Sequence, residues 1–262
     1  TDLFTRTMSL SKFGWETPSL QELRPRASLI KSIKREISKM AALSKEELFE
    51  RLRKHEGYIY NQPQITIPRY LDHCYEYIME HCVDVEKKEL KNIKKISRLK
   101  SYKVKRAAKT ESQRSGRGEE WFVLDLFLQK TDKEKVFGEL PEFGYQVPIK
   151  NSQQDKGAGK IDFISVMFDG YLYLHEIKAD YSRESILKAI LEVQTYFQQI
   201  DHDKLIDDFG LKVKGIKKSI VLFEKSYAYQ QVNDKKVQYL LDLFDIKIIG
   251  LSNSNIFKQI NS

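Results

Sequence analysis

Residues 160–179 constrain the fold more than any other stretch of the chain. Segments 160–168 and 171–179 are rich in Ile, Val, Phe and Tyr, are short, and are separated by Asp169-Gly170. That pattern predicts two antiparallel strands joined by a tight turn. Charge interrupts the apolar run at three places: Asp162 between Ile161 and Phe163, and Glu176 and Lys178 on either side of Ile177. A strand alternates faces, so Glu176 and Lys178 share a face with Leu172 and Leu174. A carboxylate buried there without a partner is strongly unfavourable, so the pattern asks for a cation.

Loop length decides whether Asp162 joins them. A two-residue loop puts Asp162 opposite Ile177, with the two acids on opposite faces of the sheet. A three-residue loop, 168–170 with Gly170 in the left-handed region, pairs Met167 with Tyr171 and sets Asp162 opposite Glu176. The second register is the one expected. Two carboxylates on adjacent strands can grip one Mg²⁺ through hard oxygen ligands, with Lys178 beside the metal.

An Asp at the head of one strand, followed by Glu-x-Lys on the next, resembles the signature of the PD-(D/E)XK nucleases. Here these are Asp162 and Glu176-Ile177-Lys178, although Ile161 stands where the name has Pro. The likeness covers roughly residues 118–251. It implies a restriction-endonuclease-like fold and metal-dependent phosphodiester hydrolysis, of DNA in preference to RNA. It further implies that Asp162, Glu176 and the Ile177 carbonyl ligate Mg²⁺, with Mn²⁺ as a substitute, and that Lys178 orients the attacking water or stabilises charge. The family often takes another acid from the preceding helix. Glu120 is preferred because it shares a face with Leu124, Phe127 and Leu128, and Glu119 is its rival. On the following helix Glu192 and Tyr196, one turn apart, take the supporting positions. Plainer roles stand beside these: Lys178 as a strand-end lysine paired to Glu176 or Asp180, and Glu192 as a solvated residue bordering the helix stripe. His175 points to the opposite face from Glu176 and reads as a packed imidazole.

The pattern around this core predicts an α/β fold with a mixed central sheet flanked by helices, preceded by a helical N-terminal region. Expected elements are a helix at 119–129, an edge strand at 145–149 demoted by Pro148, and an amphipathic helix over 182–200 capped by Ser182. A strand at 219–223, a helix at 232–243 and a strand at 246–251 follow. Upstream, residues 28–40 have a helical period, Ser44 and Glu47 open a second helix that stops near Gly57, and Pro63 and Pro68 bracket an extended piece. Residues 70–83 resume the helical pattern. The domains are expected at 1–106 and 107–262, the polar stretch 107–118 being the connection.

Of the 262 residues, 45 are Lys or Arg and 37 are Asp or Glu, and the excess is concentrated. Residues 86–117 carry thirteen bases and three acids, leaving the rest of the chain slightly acidic. A basic segment beside a near-neutral body suits a polyanion, so Lys100, Lys103, Lys105, Arg106, Lys109, Arg114 and Arg117 are candidate phosphate contacts. The alternative is a solvated helix face, because Ile93, Ile96 and Leu99 sit three apart. The longest apolar stretches are far too short to span a bilayer. Two cysteines, Cys74 and Cys82, are too few for a disulfide framework, and their spacing with His73 and His81 suits no common zinc site. Together with the lack of a charged-then-apolar leader, this points to a reducing, cytoplasmic setting. A non-catalytic nucleic-acid-binding protein, or a nuclease subunit active only within a defence, transposition or repair complex, remains the alternative function. A homodimer is left open.

Overall fold

The structure is a computed structural model. It describes residues 43–55, 57–82, 93–105, 123–124, 127, 134–155, 157–180, 182–251 and 257–259. The chain divides into two compact units, Thr1–Ser44 and Lys45–Ser262. The connection expected at 106/107 lies outside the described residues, and the described segments on either side of it belong to the second unit. Hydrogen bonds join them. Tyr60 Oη donates to the Gly157 carbonyl at 2.7 Å, and Ser185 Oγ donates to the Ile65 carbonyl at 2.6 Å.

In the second unit, α1 (Lys45–Arg53) begins directly after Ser44 and buries Leu48 and Leu52. Gly57, at φ 84°, follows its end. The piece bracketed by Pro63 and Pro68 is not extended. It forms two 3₁₀ turns, Pro63–Thr66 and Pro68–Tyr70, each with Pro in its first turn, where the missing N–H costs nothing and φ is already set. α2 (Leu71–Tyr77) follows and widens into a π-helical turn at Ile78–Cys82. The 28–40 helix lies outside the described residues.

Six strands form one sheet in sequence order: β1 (Tyr145–Pro148), β2 (Lys160–Val166), β3 (Leu172–Lys178), β4 (Ile216–Phe223), β5 (Ile246–Leu251) and β6 (Phe257–Gln259). β1–β2–β3 is an antiparallel meander, β3, β4 and β5 are parallel, and β6 returns antiparallel, so the sheet is mixed. Pro148 ends β1, which is an edge strand. The β2–β3 register is the expected one, with Phe163 opposite His175 and Val166 opposite Leu172. The turn closes through Met167 N–H to the Tyr171 carbonyl and Gly170 N–H to the Met167 carbonyl, with Gly170 at φ 82°.

Helices make the parallel crossovers. α3 is the short turn Glu134–Phe137 ahead of the sheet, and α4 (Ile186–Gln199) and α5 (His202–Phe209) connect β3 to β4. α6 (Tyr227–Gln230) and α7 (Lys235–Leu243) connect β4 to β5. The cap of α4 is Ser185, which accepts from Lys188 N–H; Ser182, the expected cap, lies one turn too early. α5 went unrecognised in the sequence although it carries its own signals: Asp201 caps it and Gly210 ends it in the left-handed conformation. Of the expected 119–129 helix, Val123, Leu124 and Phe127 are described and are helical. The Ile93, Ile96, Leu99 stripe is not a helix. Residues 93–99 are irregular, pinned by Ile96 N–H to the Gln199 carbonyl at 2.8 Å and by the buried Arg98, which donates to the Ser101 and Lys150 carbonyls. No described helix is long and apolar enough to cross a membrane.

The sheet's two faces differ in chemistry. One packs Phe163, Met167, Tyr173, Ile177, Val221, Ile249 and Leu251 against Val123, Phe137 and Leu140. His175 lies fully buried among them, stacked on Phe163 with ring centroids 4.1 Å apart. Its ring nitrogens meet the Ser165 and Ser219 hydroxyls at 2.8 and 2.5 Å. Burial, aided by the Lys247 charge, pushes the imidazole down to about 3. The other face meets α4 and carries Asp162, Glu176 and Lys178.

A buried neutral imidazole makes the fold acid-sensitive. Its folded-state pKa is depressed, so the stability it contributes is present above its unfolded value near 6.5 and is lost as pH falls towards 3. The full effect is on the order of 5 kcal/mol. Urea unfolding midpoints should therefore fall through that window in the wild type. The part due to His175 should disappear in His175→Gln.

Candidate active site

The charged face is assembled where β3 ends beside the start of α4. Lys178, with a side chain only 3% exposed, places its ammonium on three carboxylates: Glu184 at 2.6 Å, Glu176 at 2.8 Å and Glu192 at 2.9 Å. Lys188, one turn into α4, pairs with Glu184 and lies 3.6 Å from Glu192. Glu184, Lys188 and Glu192 are each four residues apart, so helical geometry and the Ser185 cap line them up over the strand. Glu192 is thus not a solvated border residue but a buried partner of Lys178. Lys178 does pair with Glu176, and with two further acids as well.

Asp162 approaches from β2. Its Oδ2 accepts from Ile177 N–H at 2.9 Å, and its Oδ1 accepts from Gln146 Nε2 at 3.1 Å. The backbone ladder between the strands ends at Phe163 and His175, and beyond it the Asp162 side chain takes the place of a backbone acceptor. In an extended strand a residue's N–H and C=O leave on the same edge, so Ile177 turns its carbonyl to the edge where Asp162 lies. Continuing the register sets Asp162 opposite Glu176.

Tyr196 closes the corner. It is buried, its ring stands edge-on to Tyr60 with centroids 5.8 Å apart, and a Cβ at Gly159 would overlap its hydroxyl. Burial, then the charges of Glu176 and Glu192, raise the Tyr196 phenol far above its ordinary range, and burial with Glu192 raises Tyr60. Both remain neutral hydroxyls. Burial also pushes the Glu176 carboxyl well above the usual carboxylate range, reinforced by the Asp162 charge and opposed by Lys178. Glu184 goes the other way: burial raises it, but Lys178 and Lys188 outweigh that and hold it at about 2.

The site therefore contains Asp162, Glu176, Glu184 and Glu192 against Lys178 and Lys188, a formal excess of two negative charges. Asp162, Glu176 and the Ile177 carbonyl are the donors that could hold a divalent ion, and all are the hard oxygens that Mg²⁺ takes. Among the described residues no three His, Cys, Asp or Glu side chains are grouped as a metal cage. Glu119 and Glu120 lie outside the described residues. His73 pairs with Glu76, and Cys74 is a buried thiol whose pKa burial pushes up to about 12. Neither belongs to a metal group. Of the candidate phosphate contacts, Lys100, Lys103 and Lys105 are exposed, while Arg106, Lys109, Arg114 and Arg117 fall outside the described residues.

No family model, curated protein or solved structure matches this chain. The site's chemistry must carry the functional argument alone.

Sequence reasoning missed Glu184, Lys188, Gln146 and Tyr60. The Glu-Lys-Glu spacing of four was visible, and with the correct cap it would have placed the first two over Lys178. Tyr60 and Gln146 had no local signal, because each arrives from a distant segment.

Two outcomes test the electrostatics. Lys178→Met should cost about 3–5 kcal/mol in chemical unfolding, because it strands buried Glu176 and leaves Glu184 and Glu192 to share Lys188. Glu176 has a raised folded-state pKa, so its contribution is full below the ordinary carboxyl range and is lost as pH rises through the raised value. Glu176→Gln should therefore flatten the fall in melting temperature as pH rises above the ordinary carboxyl range.

Proposed function

We propose that the chain is a metal-dependent phosphodiester hydrolase of the PD-(D/E)XK type, acting on DNA. The observation that carries this reading is the formal excess of acid over base where Glu176 feels the Asp162 charge and Asp162 is bonded to the Ile177 N–H, with the Lys178 ammonium on Glu176. A structural ion-pair network has no use for surplus like charge, whereas a divalent cation balances it. Mg²⁺, when bound there, would polarise the scissile phosphate and lower the pKa of a bound water.

The chain's own groups have separate tasks. Asp162 and Glu176 would hold the ion, with Asp162 aimed by Gln146 and the Ile177 N–H. Lys178 supplies fixed positive charge beside the attacking water and the developing negative charge on phosphorus. Glu192 on α4 and Glu184 just before its cap hold that ammonium in place, and Lys188 moderates their repulsion. The exposed lysines of the 93–105 segment would give sequence-independent contacts to phosphates.

A second reading also has an observation behind it. All three donors of the Lys178 ammonium face carboxylates, so a silent site in a nucleic-acid-binding protein, or one that opens only within a larger complex, is the rival. The two readings separate on metal. Under the hydrolase reading Mg²⁺ raises the melting temperature of the wild type, and more so at higher pH because ligating carboxylates must be ionised to receive it. The rise should be absent in Asp162→Asn and Glu176→Gln. A cleavage panel on linear, circular and single-stranded DNA should show Mg²⁺-dependent cutting that both isosteric variants lose while still binding DNA. Salt-sensitive binding without metal response or cutting in the wild type would select the rival.

A further inference from the structure

Linked to the charged corner through Tyr60 and Tyr196, a cleft of about 420 Å³ has Tyr58, Lys94, Lys95, Asn151, Gln154 and Asp155 in its lining. The hydrolytic reading uses its lysines only as general phosphate contacts and gives no task to its aromatic and carboxamide walls. Its size suits one small organic unit. Its walls combine an aromatic ring, two ammonium groups and two carboxamides, the set that recognises a base and its phosphates.

The cleft is built by the fold and held in place. Tyr58 stacks on Tyr60 with the rings 3° from parallel and centroids 5.7 Å apart, and Tyr60 in turn meets Tyr196 of the candidate active site. The segment bearing Lys94 and Lys95 is fixed by Ile96 N–H on the Gln199 carbonyl and by Leu99 N–H on Asn151 Oδ1 at 2.9 Å. Across the cleft, Asp155 Oδ2 accepts from the backbone N–H groups of Asn151 and Ser152, both at 2.8 Å, so the one acid here is engaged in shaping its own loop. Lys94 and Lys95 are exposed, and neither forms an ion pair among the described residues. The lysines along the charged corner and on α1, α5 and α7 mostly do. Two adjacent unpaired ammoniums favour an anionic ligand, and Lys100, Lys103 and Lys105 continue the exposed positive charge along the same segment.

We propose that this cleft is a subsite for single-stranded DNA, in which one base stacks on Tyr58 and the neighbouring phosphates lie on Lys94 and Lys95. A duplex keeps its bases stacked inside and cannot offer one to a cleft of this size. This rests on the hydrolase reading for the direction of the strand: Tyr58 packs through the buried rings of Tyr60 and Tyr196 towards Asp162 and Glu176, so a strand leaving the cleft on that side would bring its next phosphates to that corner. The substrate class that follows is a single strand, or a duplex with a single-stranded flank.

The test uses the full chain in EDTA with a short single-stranded DNA carrying 2-aminopurine, whose fluorescence is quenched on stacking. The wild type should bind and quench. Tyr58→Leu should lose the quenching and about tenfold in affinity, and Tyr58→Phe should keep both. Lys94→Ala/Lys95→Ala should reduce the slope of log affinity against log salt by about 1.4. Melting temperatures near the wild-type value show that the variants fold. Unchanged affinity and quenching in Tyr58→Leu overturns the proposal. So does equal competition by a duplex of the same sequence, or tighter binding of the matching RNA strand. Failure of the hydrolase reading looks different: the variants lose binding as expected, but the wild type cuts nothing when Mg²⁺ is restored. Failure of the subsite alone leaves Mg²⁺-dependent cutting intact and equal in Tyr58→Leu and the wild type.

Discussion

The ammonium of Lys178, buried against Glu176, Glu184 and Glu192, is the interaction on which the rest of the architecture turns. Its three donors draw together the end of β3, the loop before α4 and the second turn of that helix. Lys178, Glu176 and Glu192 are buried and would each be costly alone, while Glu184 is partly exposed and adds a third carboxylate to the ammonium. Lys188 adds a second positive charge on the solvent side of the cluster. The chain has thus concentrated charge on one face of the sheet while keeping the opposite face nearly dry, where even the imidazole of His175 is held neutral between two hydroxyls.

Balanced pairs would have served stability better than four acids against two bases. The mismatch is concentrated on Glu176, whose carboxyl, buried and beside Asp162, is held above the usual carboxylate range. A group that resists ionisation in the free protein and welcomes it beside a cation couples occupancy of the corner to proton release.

The hairpin was the most legible part of the sequence. Asp169-Gly170 between two β-rich runs, with charges at alternate positions, fixed both the register and the face on which Asp162, Glu176 and Lys178 fall. Strands β4 and β5 were equally plain, being short apolar runs between amphipathic helices. Local signals misled where proline was read as extending the chain when it in fact opened 3₁₀ turns, and where an apolar spacing of three suggested a helix over 93–99. In the latter case Arg98 and Ile96 are bonded to residues about fifty to one hundred positions away, contacts that periodicity does not encode. For the same reason the sequence could nominate Glu192 and Tyr196 but not Gln146 or Tyr60, whose places depend on tertiary approach.

The Ser185 hydroxyl joins these levels. It receives the Lys188 N–H that starts α4 and gives its own proton to the Ile65 carbonyl, in the 3₁₀ turns of the preceding region. One oxygen atom therefore anchors both the rotational phase of the helix bearing Glu192 and the seating of the segment bearing Tyr60. A ligand or neighbouring molecule that tugs on the upstream turns would be felt at the acids as a slight roll of α4, with no separate hinge required.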